Sequence, residues 1–141
     1  RRLGDHRGRA GEDGDDRLGH GQQTVGDQRD DDARSLVFET PPLDRTLELL
    51  GAPVLDVEFA CDRPVAALVA RLCDVHPAGQ SPGESLRVSY GILNLAHRAG
   101  HETLAPLVAG RRYRVRLQLN DAGAVFPAGH RIRLALSTSY W

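Results

Sequence analysis

The chain contains neither lysine nor methionine, so all 18 of its basic residues are arginine. Two residue types missing outright fit codon bias in a GC-rich source better than an arginine-specific task, and with no initiator Met a fragment is the expectation. An excess of charge is missing too. With 18 basic against 19 acidic residues the formal net charge is -1, which supplies no field to draw the molecule onto nucleic acid or an anionic membrane. Aromatic residues make up only 5%, too few to furnish stacking platforms for bases or sugars. Cys61 and Cys73 lack the dense, even pattern of a secreted disulfide scaffold, and both are expected to be small buried side chains. No run approaches the roughly 18 apolar residues of a membrane helix, and the N-terminus has no signal-peptide-like apolar stretch. A soluble segment with no nucleic-acid and no membrane partner is expected, with a cytoplasmic location favoured.

What is present divides at Arg34. From Arg1 to Gln28 the only aliphatic residues are Leu3, Ala10, Leu18 and Val25, scattered among glycines, arginines and aspartates with neither strand nor helical periodicity. Such a segment cannot bury enough apolar surface to offset an ordering cost of about 1–2 kcal/mol per residue. Residues 1–33, which end with the acidic run Asp30, Asp31 and Asp32, are therefore expected to be disordered. A functionless tail, or a frame-shifted stretch of coding sequence, accounts for them more simply than RNA binding does. Residues 34–141 are expected to form one globular domain.

Inside that domain Tyr113, Val115, Leu117 and Leu119 alternate with Arg112, Arg114, Arg116 and Gln118, a period of two that suits a half-buried strand and not a helix. Ile132, Leu134 and Leu136 alternate in the same way after the turn Pro127-Ala128-Gly129. Ser35 to Glu39 reads as a short strand stopped by Pro41-Pro42, and Leu47–Leu50 and Val54–Phe59 as β-compatible runs separated by Gly51-Ala52-Pro53. Val65 to Val75 carries alanines that also suit a helix, but its bounding prolines favour a buried strand. Leu86, Val88 and Tyr90 begin a further strand whose apolar phase shifts at Gly91, as a β-bulge there would require. Seven strands, no convincing helix and Pro/Gly punctuation predict an all-β sandwich.

Six motifs follow one another in a recognisable order: Ser35-Leu36-Val37-Phe38, Gly51-Ala52-Pro53, Arg71-Leu72-Cys73-Asp74-Val75, Gly91-Ile92-Leu93-Asn94-Leu95, Pro106-Leu107-Val108-Ala109-Gly110 with Tyr113 and Val115, and Gly129-His130-Arg131-Ile132-Arg133-Leu134 with Ser137. Together, over roughly Asp27 to Trp141, they resemble the C-terminal domain of the cocaine esterase / Xaa-Pro dipeptidyl-peptidase (CocE/NonD) group of serine hydrolases. The resemblance implies a jelly-roll, galactose-binding-like β-sandwich that is a non-catalytic accessory domain. Its implied partner is an α/β-hydrolase domain of the same protein, which carries the Ser-His-Asp triad upstream and whose substrate cleft this domain helps to shape. No catalytic, cofactor-binding or metal-ligating residue is then assigned to this chain. Two departures stand out: Ala109 replaces the family's usual proline, and the chain stops at Trp141 where relatives continue through further strands. An unpaired sheet edge, with poor stability or self-association, is the expected consequence. A stand-alone carbohydrate-binding or interaction module of jelly-roll type is the alternative, and a non-functional gene remnant a third possibility.

The remaining chemistry is declined on physical grounds. Gly79-Gln80-Ser81-Pro82-Gly83 matches the G-x-S-x-G nucleophile pattern, but Pro82 has no backbone N–H to donate to an oxyanion. His97 and His101 have helical metal-ligand spacing, yet Ala99-Gly100 between them opposes a helix and no cysteine pair completes a zinc set. His130 and Asp74, each at a strand end, are expected to make local structural hydrogen bonds. Arg112, Arg114 and Arg116, joined by Arg131 and Arg133 if those lie on a neighbouring strand, read first as a solvated sheet face and second as a surface docking on the hydrolase domain.

Overall fold

The alternation from Arg112 to Leu119 becomes one half of a long, kinked ribbon. A computed structural model describes residues 28–77, 79, 83–100 and 102–139. Its strands, in chain order, are β1 (Leu36–Glu39), β2 (Leu47–Gly51), β3 (Val54–Ala60), β4 (Ala67–Val75), β5 (Ser85–Asn94), β6 (Arg112–Gln118), β7 (Ala122–Phe126) and β8 (Arg131–Ser137). A helical turn, α1 (Arg29–Asp32), precedes them, and a 3₁₀ turn at Leu95–His97 follows β5. No helix among the described residues is long and apolar enough to cross a membrane.

Antiparallel pairing sets β1, β8, β4 and β5 side by side in one four-stranded sheet. Opposite it, β2 pairs with β7 and β3 with β6. The two pairs are separate ladders, one from Leu47 opposite Phe126 to Gly51 opposite Ala122 and the other from Val54 opposite Gln118 to Ala60 opposite Arg112. Across the kink the Leu119 N–H still donates to the Pro53 carbonyl at 2.8 Å. The kink falls at Gly51-Ala52-Pro53 because Gly51 takes φ 123°, which residues with side chains rarely adopt, and Pro53 has no N–H for a ladder.

The inner face of the ribbon pairs Leu55 with Leu117, Val57 with Val115 and Phe59 with Tyr113. This face packs on Leu68, Ala70 and Leu72 of β4, Leu93 of β5, and Leu134 and Leu136 of β8, with Leu95 and Leu107 closing one end. The result is the all-β sandwich that the alternation predicts.

Three details correct the sequence expectations. The bulge lies at Val88 and not at Gly91: Leu72 pairs with Ser89 but Cys73 with Arg87, leaving Val88 as the extra residue. Gly91 is instead a point of close approach, where a Cβ would stand 3.1 Å from the Gln118 carbonyl oxygen and 3.3 Å from the Leu117 side chain. Secondly, Ala122–Phe126 is an eighth strand that was not expected, because two of its three inward residues are alanine and the hydrophobic alternation is correspondingly faint. Thirdly, part of residues 1–33 is ordered: Arg29–Asp32 form a helical turn that buries Asp32, because arginines of β4 and β8 supply its partners. Residues 1–27 lie outside the described residues.

Candidate functional site

The face of the four-stranded sheet turned away from the core carries the polar side chains Arg71, Ser85 and Arg133 beside the buried Val69, Cys73, Val75 and Ala135. Arg71 and Asp32, 3% and 5% exposed, form its hub. Arg71 Nη2 lies 3.3 Å from Asp32 Oδ1 and donates to Ser35 Oγ, while Nη1 donates to Gln28 Oε1 and lies 3.4 Å from Asp31 Oδ2. Ser85 Oγ (2.9 Å) and Arg133 Nη1 (2.7 Å) both donate to Asp32 Oδ2, and Arg133 Nε (2.8 Å) donates to Glu39 Oε2. Charges taken out of water this completely persist only when paired and hydrogen-bonded. The network therefore pins the segment Gln28–Ser35 across β4, β5 and β8.

Two titrations report on it. Burial works to raise the Glu39 carboxyl, but hydrogen bonds and charges from Arg133 and Arg131 outweigh it and hold the group below its ordinary value of 4.5. A folded-state pKa below the unfolded one adds stability that is present above the unfolded value and disappears as the pH falls through the folded value. Urea midpoints of the wild type and Glu39→Gln are thus expected to differ at neutral pH and to converge in acid, below 4.5. Burial, reinforced by the Asp32 charge, pushes the Cys73 thiol up to about 11. Cys73 is therefore an unreactive thiol at neutral pH. A maleimide is expected to label Cys61, which is half-buried, in the native protein, and Cys73 only after denaturation, as mass spectrometry will read.

A second polar group sits where β4 ends and β8 begins. His130 Nδ1 is 2.8 Å from Asp74 Oδ1 and 3.1 Å from Oδ2. His76, one residue beyond β4, directs Nε2 at Asp74 Oδ2 and Nδ1 at Glu84 Oε2, both at 3.7 Å. The two imidazole rings stand 4.8 Å apart. Backbone bonds fix the frame: the His76 N–H donates to the Glu84 carbonyl (2.9 Å), and Leu43 N–H to the His130 carbonyl (2.8 Å). His76 also lines a surface cavity with Glu39, Gly129, Arg131 and Arg133.

His130 and Asp74 were expected to make separate local bonds; they bond instead to each other, 56 residues apart in sequence. His76 and Glu84 carried no signal of their own. Of the G-x-S-x-G pattern, Gly79 and Gly83 are turn residues with positive φ, while Gln80, Ser81 and Pro82 lie outside the described residues. His97 ends the 3₁₀ turn, and His101 lies outside the described residues.

The three arginines of the stripe face two carboxylates. Arg112 reaches Glu58 at 3.1 Å, and Arg114 and Arg116 approach Asp56 at 3.6 and 4.0 Å on the outer face of β3. Arg131 and Arg133 do not extend it, because β8 lies in the other sheet, where both pair with Glu39. Exposed pairs of this kind contribute little stability but offset most of the positive charge. No free aromatic platform arises at Tyr113 either: its ring stacks on Phe59 and is covered by Arg98 and Arg111, and its hydroxyl accepts from the Val108 N–H.

Comparison with known proteins agrees with this architecture. The whole chain, residues 1–141, matches the family described as the X-Pro dipeptidyl-peptidase C-terminal non-catalytic domain. No curated protein matches by sequence. Among solved structures, an aminopeptidase from a marine sediment Thaumarchaeota archaeon is similar with a TM-score of 0.79 and 27% identity, over 83% of this chain and 20% of that one. An α-amino acid ester hydrolase gives 0.79 and 28% with the same coverage. A CocE/NonD family hydrolase from Staphylococcus aureus shares the fold at a TM-score of 0.69 and 19% identity, over 81% of this chain and 24% of that one. The chain thus spans 20 to 24% of the length of these relatives. Its match to that family from end to end settles the assignment: the chain belongs to the X-Pro dipeptidyl-peptidase C-terminal non-catalytic domains.

Proposed function

We propose that this chain is the accessory domain of a larger serine hydrolase of the esterase / Xaa-Pro dipeptidyl-peptidase type, packed on an α/β-hydrolase domain of the same protein and forming part of the wall of its substrate cleft. The family match over the whole chain carries this reading. Two features of the fold support it. The serine hydroxyls of Ser35, Ser85, Ser89 and Ser137 are committed to structural acceptors, namely the Asp31 carbonyl, Asp32, the Asn120 carbonyl and the Ser139 carbonyl. Leu36 and Phe38 stand opposite Leu136 and Leu134, on the core side of the sheet, yet are 63% and 52% exposed. An apolar strip that continues a core into solvent is what a docked domain would cover.

The isolated chain is expected to hydrolyse a chromogenic ester no faster than buffer. Turnover lost on Ser81→Ala would overturn the reading. Added to an α/β-hydrolase domain encoded upstream in the same gene, the chain is expected to raise that domain's Tm and its kcat/KM. The double variant Leu36→Asp/Phe38→Asp, with an unchanged β-sheet circular dichroism spectrum, is expected to lose both gains.

A further inference from the structure

We propose that Asp74, His76 and His130 bind one divalent cation of the zinc class, with Glu84 as the carboxylate that orients His76. The three side chains already offer ligand atoms that all lie within 4.8 Å of one another. Ligands of a tetrahedral ion bonded at about 2.0–2.1 Å stand roughly 3.3 Å apart. From the single oxygen Asp74 Oδ2 the separations are 3.1 Å to His130 Nδ1 and 3.7 Å to His76 Nε2, which bracket that value. Small rotations about side-chain bonds therefore suffice to close the set.

A second observation points the same way. His76 turns its two nitrogens to two different carboxylates, Nε2 to Asp74 and Nδ1 to Glu84. When Glu84 accepts the Nδ1 proton, the Nε2 lone pair is left facing Asp74 and His130. A carboxylate holding the far nitrogen of an imidazole is the usual support of a metal-ligating histidine. The main chain supplies the rigidity, since the Glu84 carbonyl accepts from the His76 N–H and the Leu43 N–H donates to the His130 carbonyl.

Donor chemistry selects the ion. Two imidazoles and one carboxylate suit zinc, whereas calcium and magnesium favour oxygen ligands throughout. The side chains are 13 to 23% exposed, which leaves an approach for the ion and for a water molecule in a fourth position. The nearby cations do not compete for Asp74: Arg131 pairs with Glu39, and Arg133 with Glu39 and Asp32. Binding would exchange the His130–Asp74 hydrogen bond for two metal bonds and release a proton from whichever imidazole carries one. The ion would tie the end of β4 and the start of β5 to the start of β8.

The test uses the full chain, stripped with a chelator and then dialysed against zinc in a weakly chelating buffer. One zinc per chain is expected to remain, to raise Tm, and to be replaceable by cobalt with the visible absorption of a tetrahedral site. His76→Gln is expected to lose stoichiometric zinc, and Glu84→Gln to weaken binding about 10- to 100-fold, while His97→Gln changes neither. Both cluster variants leave the His130–Asp74 bond intact, and circular dichroism checks their fold. Wild-type protein that retains no zinc, or His76→Gln that retains as much as wild type, would overturn the proposal.

Discussion

Arg71→Ala is expected to destabilise the domain by about 3–5 kcal/mol, the range found when one partner of a buried ion pair is removed. Asp32, 5% exposed, would keep Arg133 and Ser85 on Oδ2 but lose the guanidinium beside Oδ1. Gln28, Ser35 and Asp31 would lose the group that anchors their segment to β4. Ordinary domains have only about 5–15 kcal/mol in all, so the loss would be plain in the urea midpoint. The double change Arg71→Met/Asp32→Leu is expected to recover only part of it, because it removes the Arg71–Asp32 charge pair but also takes from Arg133 and the buried Ser85 their shared acceptor. Equal midpoints for wild type and Arg71→Ala would mean that the network is not closed in solution.

Phe126→Ala is the second large effect, expected to cost about 3–5 kcal/mol from lost burial and the cavity left behind. Phe126 is 1% exposed and ends β7, opposite Leu47 at the far end of the ribbon. Its neighbour Val125 is 57% exposed on the opposite face of the same strand, so Val125→Ala is expected to stay within about 0.5 kcal/mol of wild type. A thermal unfolding series on the two variants separates the faces. Similar losses in both would place β7 differently from its pairing with β2.

The contrast between these residues shows where the sequence is informative. Strands with strong alternation, such as β6 and β8, declare both their existence and their inward face, because side chains on a pleated strand repeat every two residues. β7 has the same inward geometry, but Ala122 and Ala124 give it too little hydrophobic contrast to be read. Gly91 is visible as a break in phase, and the sequence does not say whether a bulge or a close approach explains it. The Gln118 carbonyl lying 3.1 Å from a Cβ position decides for the approach. Cys73 is legible as a buried thiol, but the carboxylate near it comes from a segment whose composition reads as disordered.

The candidate cation site was half visible. Asp74 and His130 stand in two of the six motifs behind the family resemblance, Arg71 to Val75 and Gly129 to Leu134. Neither motif reveals that its polar residue faces the other. The antiparallel register does so, by setting Asp74 opposite Ile132 and Val75 opposite Arg131. His76 and Glu84 join because β4 and β5 are consecutive partners whose connection brings the His76 N–H to the Glu84 carbonyl.

The amino-acid sequence by itself determined the sheet class, the break between two strands at Gly51-Ala52-Pro53 and the family, since each depends on local periodicity, backbone restriction or the order of short motifs. Only the tertiary structure decided that Asp32 is buried, that the arginine stripe is paired with carboxylates of β3, and that two histidines converge on one aspartate. The contacts Arg112 to Glu58, His130 to Asp74 and Arg133 to Asp32 span 54, 56 and 101 residues of chain, set by which strands lie side by side, and a side-chain period of two carries no record of that choice.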